Sequence, residues 1–155
     1  AGGFDKSDKD NEVKATVMFP NDKVPLADQA GCWAACHEDA KGMPKSKDKT
    51  KYVAAGTMDL MQWASSGKSS DGFVADKRNM TGGKAGATAE GAKAGDTYTV
   101  TYTRKLAGNA VLAAGKAVPF GIAIHADNAG GRFHHVSFGH TIGLGADGDV
   151  KAAKQ

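Results

Sequence analysis

Apolar and polar side chains alternate along several short stretches of the chain, which is the pattern expected of half-buried β-strands. The first predicted strand covers residues 12–19 and ends at Pro20, and its apolar face is formed by Val13, Ala15, Val17 and Phe19. The second covers residues 96–104, where threonines point one way and Tyr98, Val100 and Tyr102 point the other. This alternation predicts a mainly β protein.

Two further strands are predicted in the second half of the chain. One opens after Pro119, and its apolar face is formed by Phe120, Ile122 and Ile124. The other runs from residue 133 to 144 and is broken at Gly139, where a bulge is expected. An additional short strand is expected at residues 111–114.

Helical signals are sparse. One helix is predicted within residues 25–40, with Gly42 and then Pro44 as stop signals. Residues 57–63 fit either a strand or a helical turn. Residues 67–95 are rich in Gly, Ala, Ser and Lys and predict a long, flexible, exposed excursion.

Length and charge narrow the classes of function. A chain of 155 residues predicts a single domain, residues 1–155, that can bury a real core. The net charge of +3 comes from cations scattered among acidic residues, so a nucleic-acid groove is not expected. No apolar run reaches membrane-spanning length, so this segment is not expected to insert into a membrane. No signal peptide is visible, which fits either a mature form or a domain of a longer protein.

Cys32-Trp33-Ala34-Ala35-Cys36-His37 carries the clearest chemical signal. It is one residue longer than C-x-x-C-H, the attachment motif of c-type haem. Two thiols can form thioether bonds to the two vinyl groups of haem, and the adjacent histidine can then reach the iron. Cys32 and Cys36 are also the two cysteines of the chain, so covalent haem leaves no odd thiol.

Two other interpretations of this motif stay open. A short-loop disulfide between Cys32 and Cys36 leaves the adjacent His37 unexplained. The motif could also be half of a zinc site, but the chain lacks the second cysteine pair that such sites usually contain. Covalent haem is therefore the preferred interpretation, with Cys32 and Cys36 as anchors and His37 as the proximal iron ligand.

The distal iron ligand is sought among the remaining histidines and the methionines. The histidines are His125, His134, His135 and His140. In an unbroken strand, His134 shares a face with Val136, Phe138 and Ile142, as a ligand in an apolar pocket requires, whereas His135 faces the other way. The competing methionines are Met18, Met43, Met58, Met61 and Met80, of which Met58 and Met61 are expected to fill core and Met80 to lie in the flexible excursion. His134 is the predicted distal ligand and His135 the alternative.

Several segments resemble a known family. In chain order they are Lys14–Pro20, Thr57–Trp63, Tyr98–Leu106, Pro119–Asp127 and Gly131–Ser137. They are similar to segments of the haem-binding domain in the gamma subunit of ethylbenzene dehydrogenase and related molybdoenzymes. The resemblance covers most of the chain outside residues 67–95. It implies an antiparallel β-sandwich with a few short helices, one of which carries the attachment motif.

The resemblance also implies how the ligands differ from those of the family. Those gamma subunits hold a b-type haem with a methionine and a lysine. Here His37 falls at the methionine position, and alignment of Val136-Ser137 puts His134 at the lysine position. The chain therefore resembles a c-type, bis-histidine branch of the family, one whose domains also occur fused to membrane-anchored multihaem quinol-oxidising cytochromes.

These features predict an exported, periplasmic monohaem domain that passes one electron between redox protein partners and is not an enzyme. Thioether attachment is made outside the cytoplasm in bacteria, hence the compartment. The apolar wall of the haem site is expected to include Trp33, Trp63, Met18, Phe120 and Ile122. The alternatives are a haem-based gas or ligand sensor and an accessory electron-transfer subunit of a periplasmic molybdenum oxidoreductase. A small helical cytochrome c fold is not expected, because the chain has too much β pattern.

Overall fold

The computed structural model describes residues 12–30, 56–75, 78–126 and 135–153. Strands predominate in these ranges, and the helix found there is a single turn. In chain order the elements are β1 (Lys14–Pro20), α1 (Ala27–Ala30), β2 (Met58–Ala64), β3 (Ser69–Val74), β4 (Arg78–Asn79), β5 (Thr88–Ala94), β6 (Thr97–Thr103), β7 (Lys116–His125), β8 (His135–Val136), β9 (His140–Leu144) and β10 (Val150–Lys151).

Most strands join one large sheet in the order β10-β9-β7-β1-β2-β3-β4, and β8 adds to β7. All of its pairs are antiparallel except β9 with β10. β1 lies at the centre, with β2 on one edge and β7 on the other. A strand paired on both edges has every backbone group satisfied within the sheet, so its position is set by its neighbours rather than by solvent.

Both faces of β1 are buried, although the alternation in the sequence indicated one apolar face. Met18 is 2% exposed and Phe19 is 7% exposed, and they point to opposite sides of the sheet. Met18 belongs to what we call the helix-side cluster, formed by Met18, Val24, Ala27, Met58, Leu60, Val74 and Ala123. Phe19 belongs to the hairpin-side cluster, formed by Phe19, Met61, Ala85, Ala87, Ala110, Leu112 and Val118.

The structure corrects the expectation that residues 67–95 form a long loop, since this range contains β3, β4 and β5. Three of its alanines are core residues, since Ala85, Ala87 and Ala89 are buried. A Cβ at Gly91 would collide with the Trp63 indole. Small side chains are required here because they let the backbone approach the sheet closely. A rule based on composition alone interprets the same Gly- and Ala-rich sequence as a loop.

β5 and β6 form a hairpin that lies over one face of the large sheet. Gly95, at φ +58°, occupies the first position of its two-residue turn. Trp63 packs against Tyr98 with ring centroids 5.8 Å apart. The Tyr102 hydroxyl donates to the Ala15 carbonyl at 2.6 Å. The hairpin therefore covers the hairpin-side cluster from β3 across to β1.

The other strand predictions have mixed outcomes. The predicted strand at 96–104 is confirmed as β6, and the ambiguous segment 57–63 is strand β2. The prediction of a strand at 111–114 is wrong, because these residues lie in a loop, in which the Leu112 N–H donates to the Leu106 carbonyl at 2.8 Å. The predicted strand at 133–144 is, in its described part, two strands, β8 and β9, separated at residues 137–139.

Asp59 is a fully buried acidic residue that ties this loop to the sheet. Its Oδ1 accepts from the Asn109 backbone N–H at 3.0 Å and from Asn109 Nδ2 at 2.9 Å. Its Oδ2 accepts from the Ala110 N–H and from Arg104 Nη2, both at 3.0 Å. The Arg104 guanidinium also lies 4.9 Å from the Phe19 ring centroid. One carboxylate thus satisfies donors from three residues that form no ladder of their own.

Replacing Asp59 with alanine is expected to lower the free energy of unfolding by about 3–5 kcal/mol, because it strands a buried guanidinium and two buried N–H groups. The midpoint of urea unfolding measures this. Asp147→Ala is the matched control, since its ion pair with Lys151 is exposed and its loss is expected to leave the midpoint nearly unchanged. Equal losses in the two variants would contradict the assigned network.

Burial raises the pKa of the Tyr102 hydroxyl from 10.0 to about 12, although the Trp63 backbone N–H opposes the shift. The unfolded chain therefore loses this proton first, and the contribution of Tyr102 to stability is expected to fall between pH 10 and about 12. Carbon-13 NMR of labelled tyrosine rings measures the titration, and Tyr102→Phe identifies the resonance. Disappearance of a resonance that titrates near pH 10 in Tyr102→Phe would contradict this assignment.

Candidate functional site

The predicted haem ligands Cys32, Cys36, His37 and His134 lie outside the described residues, as does Trp33. The structure does describe the segments that lead to them. α1 ends at Ala30, two residues before Cys32, and β8 begins at His135, directly after His134. The geometry of α1 and β8 is therefore what the structure contributes to the site.

The turn between β1 and α1 is fixed by Asn21 and by burial of two apolar side chains. The Asn21 N–H donates to the Thr57 carbonyl at 2.9 Å, and Asn21 Oδ1 accepts from the Thr57 N–H at 3.2 Å. Val24 and Ala27 are 6% exposed and belong to the helix-side cluster. The start of α1 is thus held against the sheet, close to the point where β2 begins.

Gly139 connects α1 to the segment that follows His134. Its N–H donates to the Gln29 carbonyl at 3.0 Å, and a Cβ at this position would collide with the Asp28 carbonyl oxygen. Gln29 lies three residues before Cys32, and Gly139 lies five residues after His134. The bond between Gln29 and Gly139 therefore joins two chain segments that are close in sequence to predicted haem ligands.

The segment before Gly139 is also tied to the large sheet. The Ser137 N–H donates to the Ile122 carbonyl at 2.8 Å, and Ser137 Oγ accepts from the Ile122 N–H at 2.8 Å. These two bonds extend the contact of β8 with β7 by one residue. The segment after β8 is thus fixed to β7 as well as to α1.

Methionine-rich apolar packing lies beneath α1. Met58 is completely buried and Met18 is 2% exposed, and half-buried Met80 and Val136 pack against the same helix-side cluster. The sequence placed Met80 in a flexible loop, and the contact with this cluster was not expected. The pairing of Met18 with Leu60 follows once the register of β1 and β2 is known. No local sequence pattern predicts that Met80 lies on this face.

The predicted apolar wall is divided between the two faces of the large sheet. Met18 is on the face that carries α1. Trp63, Phe120 and Ile122 lie on the other face, since Ala15 pairs with Trp63, Val17 pairs with Ile122, and Phe120 packs on Phe19 at 6.0 Å between ring centroids. The expectation that these residues line one wall with Met18 is wrong, because it relied on residue type without strand parity.

Strand parity also separates the histidines that are described. His135 is exposed and pairs with Ile124, whereas the next residue, Val136, points into the helix-side cluster. His125 ends β7 on the same face as Ala123, which belongs to the helix-side cluster. Of the described histidines, His125 is therefore the one whose strand position faces the α1 side, a property that the sequence alone did not reveal.

His140, the first residue of β9, takes part in a separate set of contacts. Its ring packs on Phe120 at 5.9 Å, and its Nδ1 is 4.0 Å from Asp149 Oδ2. Hydrogen bonds from the Thr141 N–H and hydroxyl hold the pKa of the Asp149 carboxyl below its usual value, with a smaller contribution from His140. The predicted common face of Val136 and Ile142 is also wrong, because Ile142 packs with the hairpin-side cluster.

Within the described ranges, no three His, Cys, Asp or Glu side chains cluster closely enough to hold a metal ion. No helix in those same ranges has the length and apolar content needed to cross a membrane.

The chain is similar to two curated proteins along nearly all of its length. It is 48% identical to cytochrome c-552 of Stutzerimonas stutzeri over 167 aligned positions, covering all of this chain and 57% of that protein. It is 50% identical to cytochrome c-551 of Rhodocyclus tenuis over 151 positions, covering 96% of this chain and 58% of that protein. The chain thus spans somewhat more than half the length of each relative. No family model and no solved structure matches it.

The names of both relatives belong to c-type cytochromes, which supports the class expected from the motif at residues 32–37. Neither name refers to ethylbenzene dehydrogenase, so the more specific resemblance stays a prediction.

Replacing Gly139 with alanine is expected to lower the free energy of unfolding by about 1–3 kcal/mol, because the new methyl group must displace α1 from the segment after β8. The shift of the urea midpoint measures this, and hydrogen exchange at residue 139 reports whether the bond to Gln29 is lost. Gly143→Ala is the matched control, since Gly143 lies in β9 and its Cβ would collide with the Ala146 carbonyl oxygen instead of with α1. If amide hydrogen exchange at residue 139 became faster by the same factor in both variants, the assigned contact between Gly139 and α1 would be contradicted.

Proposed function

We propose that this chain is an exported electron-transfer domain that holds one haem c covalently and passes single electrons between redox protein partners. The observation that carries the proposal is the C-x-x-x-C-H motif within a chain that is about half identical, over nearly its whole length, to two cytochromes c. The similarity supports covalent haem c as the cofactor and an electron carrier rather than an enzyme.

The residues present fit this cofactor. Cys32 and Cys36 supply the two thiols for thioether bonds, and His37 supplies an imidazole directly beside them. The helix-side cluster supplies buried apolar surface next to the helix that leads to Cys32, with α1 held there by Ala27 and the bond from Gly139. A bound haem c supplies one-electron oxidation and reduction of its iron.

The chain's own residues would set the properties of that iron. His37 would bind the iron as the first ligand, and a second imidazole would keep its potential lower than a methionine would. His134 is the preferred distal ligand. The exposed position of His135, opposite Ile124 and away from the helix-side cluster, weighs against His135. With both histidines bound, the iron would have no position open to a gas, which would suit electron transfer rather than gas binding.

We place the domain in the periplasm, because thioether attachment occurs outside the bacterial cytoplasm. Its proposed architecture is a β-sandwich in which the β5–β6 hairpin forms part of the second layer. We propose that this architecture is the one found in the family of the ethylbenzene dehydrogenase gamma subunit.

Absorption spectra of the chain produced with a c-type maturation system test the proposal. The expected result is a low-spin spectrum in both oxidation states and haem that stays bound in denaturant. The double variant Cys32→Ser/Cys36→Ser is expected to lose covalent haem. A wild type without covalent haem would contradict the proposal and return these cysteines to a disulfide.

Single alanine variants at His134, His135 and His125 identify the distal ligand. His134→Ala is expected to give a high-spin species that binds carbon monoxide, while His135→Ala and His125→Ala keep the low-spin spectrum. His140→Ala is the matched control, because His140 packs on Phe120 beside Asp149. A high-spin wild type that binds carbon monoxide would instead favour a ligand sensor.

A further inference from the structure

β6 has a sequence that is the same in both chain directions: Thr97-Tyr98-Thr99-Val100-Thr101-Tyr102-Thr103, with Val100 at the centre. Two copies of such a strand can pair antiparallel about a two-fold axis at Val100. Each residue then lies opposite one of its own type, which is the self-complementarity that a symmetric interface requires. The assignment of this chain as an electron carrier does not use this feature.

One edge of β6 is unpaired by any strand in the part of the chain that the structure describes. β6 pairs with β5 in an unbroken register from Thr88 with Thr103 to Ala94 with Thr97. The strand contains no proline, charged residue or bulge, which are the devices that usually protect an exposed edge from association.

The turn geometry decides which backbone groups face this edge. In a hairpin with a two-residue turn, the pair next to the turn, Ala94 and Thr97, is hydrogen-bonded, and bonded pairs alternate from there. The threonines of β6 therefore bond to β5. Tyr98, Val100 and Tyr102 turn their N–H and C=O groups to the free edge, so the central residue of the palindrome presents both a donor and an acceptor.

An incoming strand would also cover apolar surface. β5 lies over β2 and β3, and β6 lies over β1, where Tyr102 bonds to Ala15. The next position in this layer is over β7, because Ile124 pairs with Ala15 in the large sheet. Ile124 is 36% exposed, and its burial would add hydrophobic stabilisation to the backbone hydrogen bonds.

We propose that β6 is a self-association surface through which two copies of this chain join their β5–β6 hairpins into one continuous four-stranded antiparallel sheet. Thr99 of each copy lies opposite Thr101 of the other, with both side chains on the exposed face. Beyond the palindrome, Asp96 of one copy is opposite Arg104 of the other, so the register opposes no like charges.

Sedimentation velocity of the haem-loaded chain tests this proposal. The expected result for wild type is a monomer–dimer equilibrium with a Kd of about 1–100 µM, because one strand pair forms a small interface. Thr99→Lys/Thr101→Lys opposes lysines across the interface and is expected to weaken dimerisation at least about tenfold.

Thr99→Glu/Thr101→Lys is the matched control, because it places the introduced carboxylate of one copy opposite the introduced ammonium group of the other. This variant is expected to keep or strengthen the dimer. In both variants the lysine introduced at position 101 faces Glu90 of its own hairpin and position 99 faces Ala92, so folding of the hairpin is perturbed similarly. A wild type that stays monomeric throughout the concentration range overturns the proposal. Equal effects of the two variants, whether strong or absent, overturn pairing about Val100.

Discussion

The pairing of β1 with β2 on one edge and β7 on the other is the constraint on which the rest of the structure depends. It fixes the register of the three central strands and sends alternate side chains to opposite faces. Each face must then be covered, because both carry large apolar groups such as Met18 and Phe19. The β5–β6 hairpin and the Asp59-anchored loop cover one face, and α1 covers part of the other.

This division gives the two faces different roles. The hairpin face is held by directional polar contacts in addition to apolar packing: the Asp59 carboxylate with Arg104, and the Tyr102 hydroxyl with Ala15. The α1 face is held mainly by methionine and alanine packing and by the bond from Gly139 to Gln29. Flexible methionine side chains adapt to irregular shapes, which suits a face proposed to receive a rigid ring.

The comparisons and the structure support the proposed function in different ways. Similarity to two cytochromes c supports the proposed chemistry of residues 32–37, whereas the structure joins α1 to the segment after β8, which are the described neighbours of the predicted ligands. In the described ranges the architecture is strands with one helical turn. The proposed ligands His37 and His134 are far apart in the chain, so holding both at one haem would require long-range contacts such as the bond from Gly139 to Gln29.

The sequence by itself determined the strand character of β1 and β6 and the chemistry of Cys32, Cys36 and His37, because alternation and motif spacing are local properties. Tertiary structure decided which face each residue occupies. Trp63 and Phe120 turned away from Met18 through strand parity, and Met80 reached the helix-side cluster through the β3–β4 pairing. Ala85 and Ala87 of the 67–95 segment became core because they pack with Phe19 and Met61. Such contacts join residues far apart in the chain, so no local pattern specifies them.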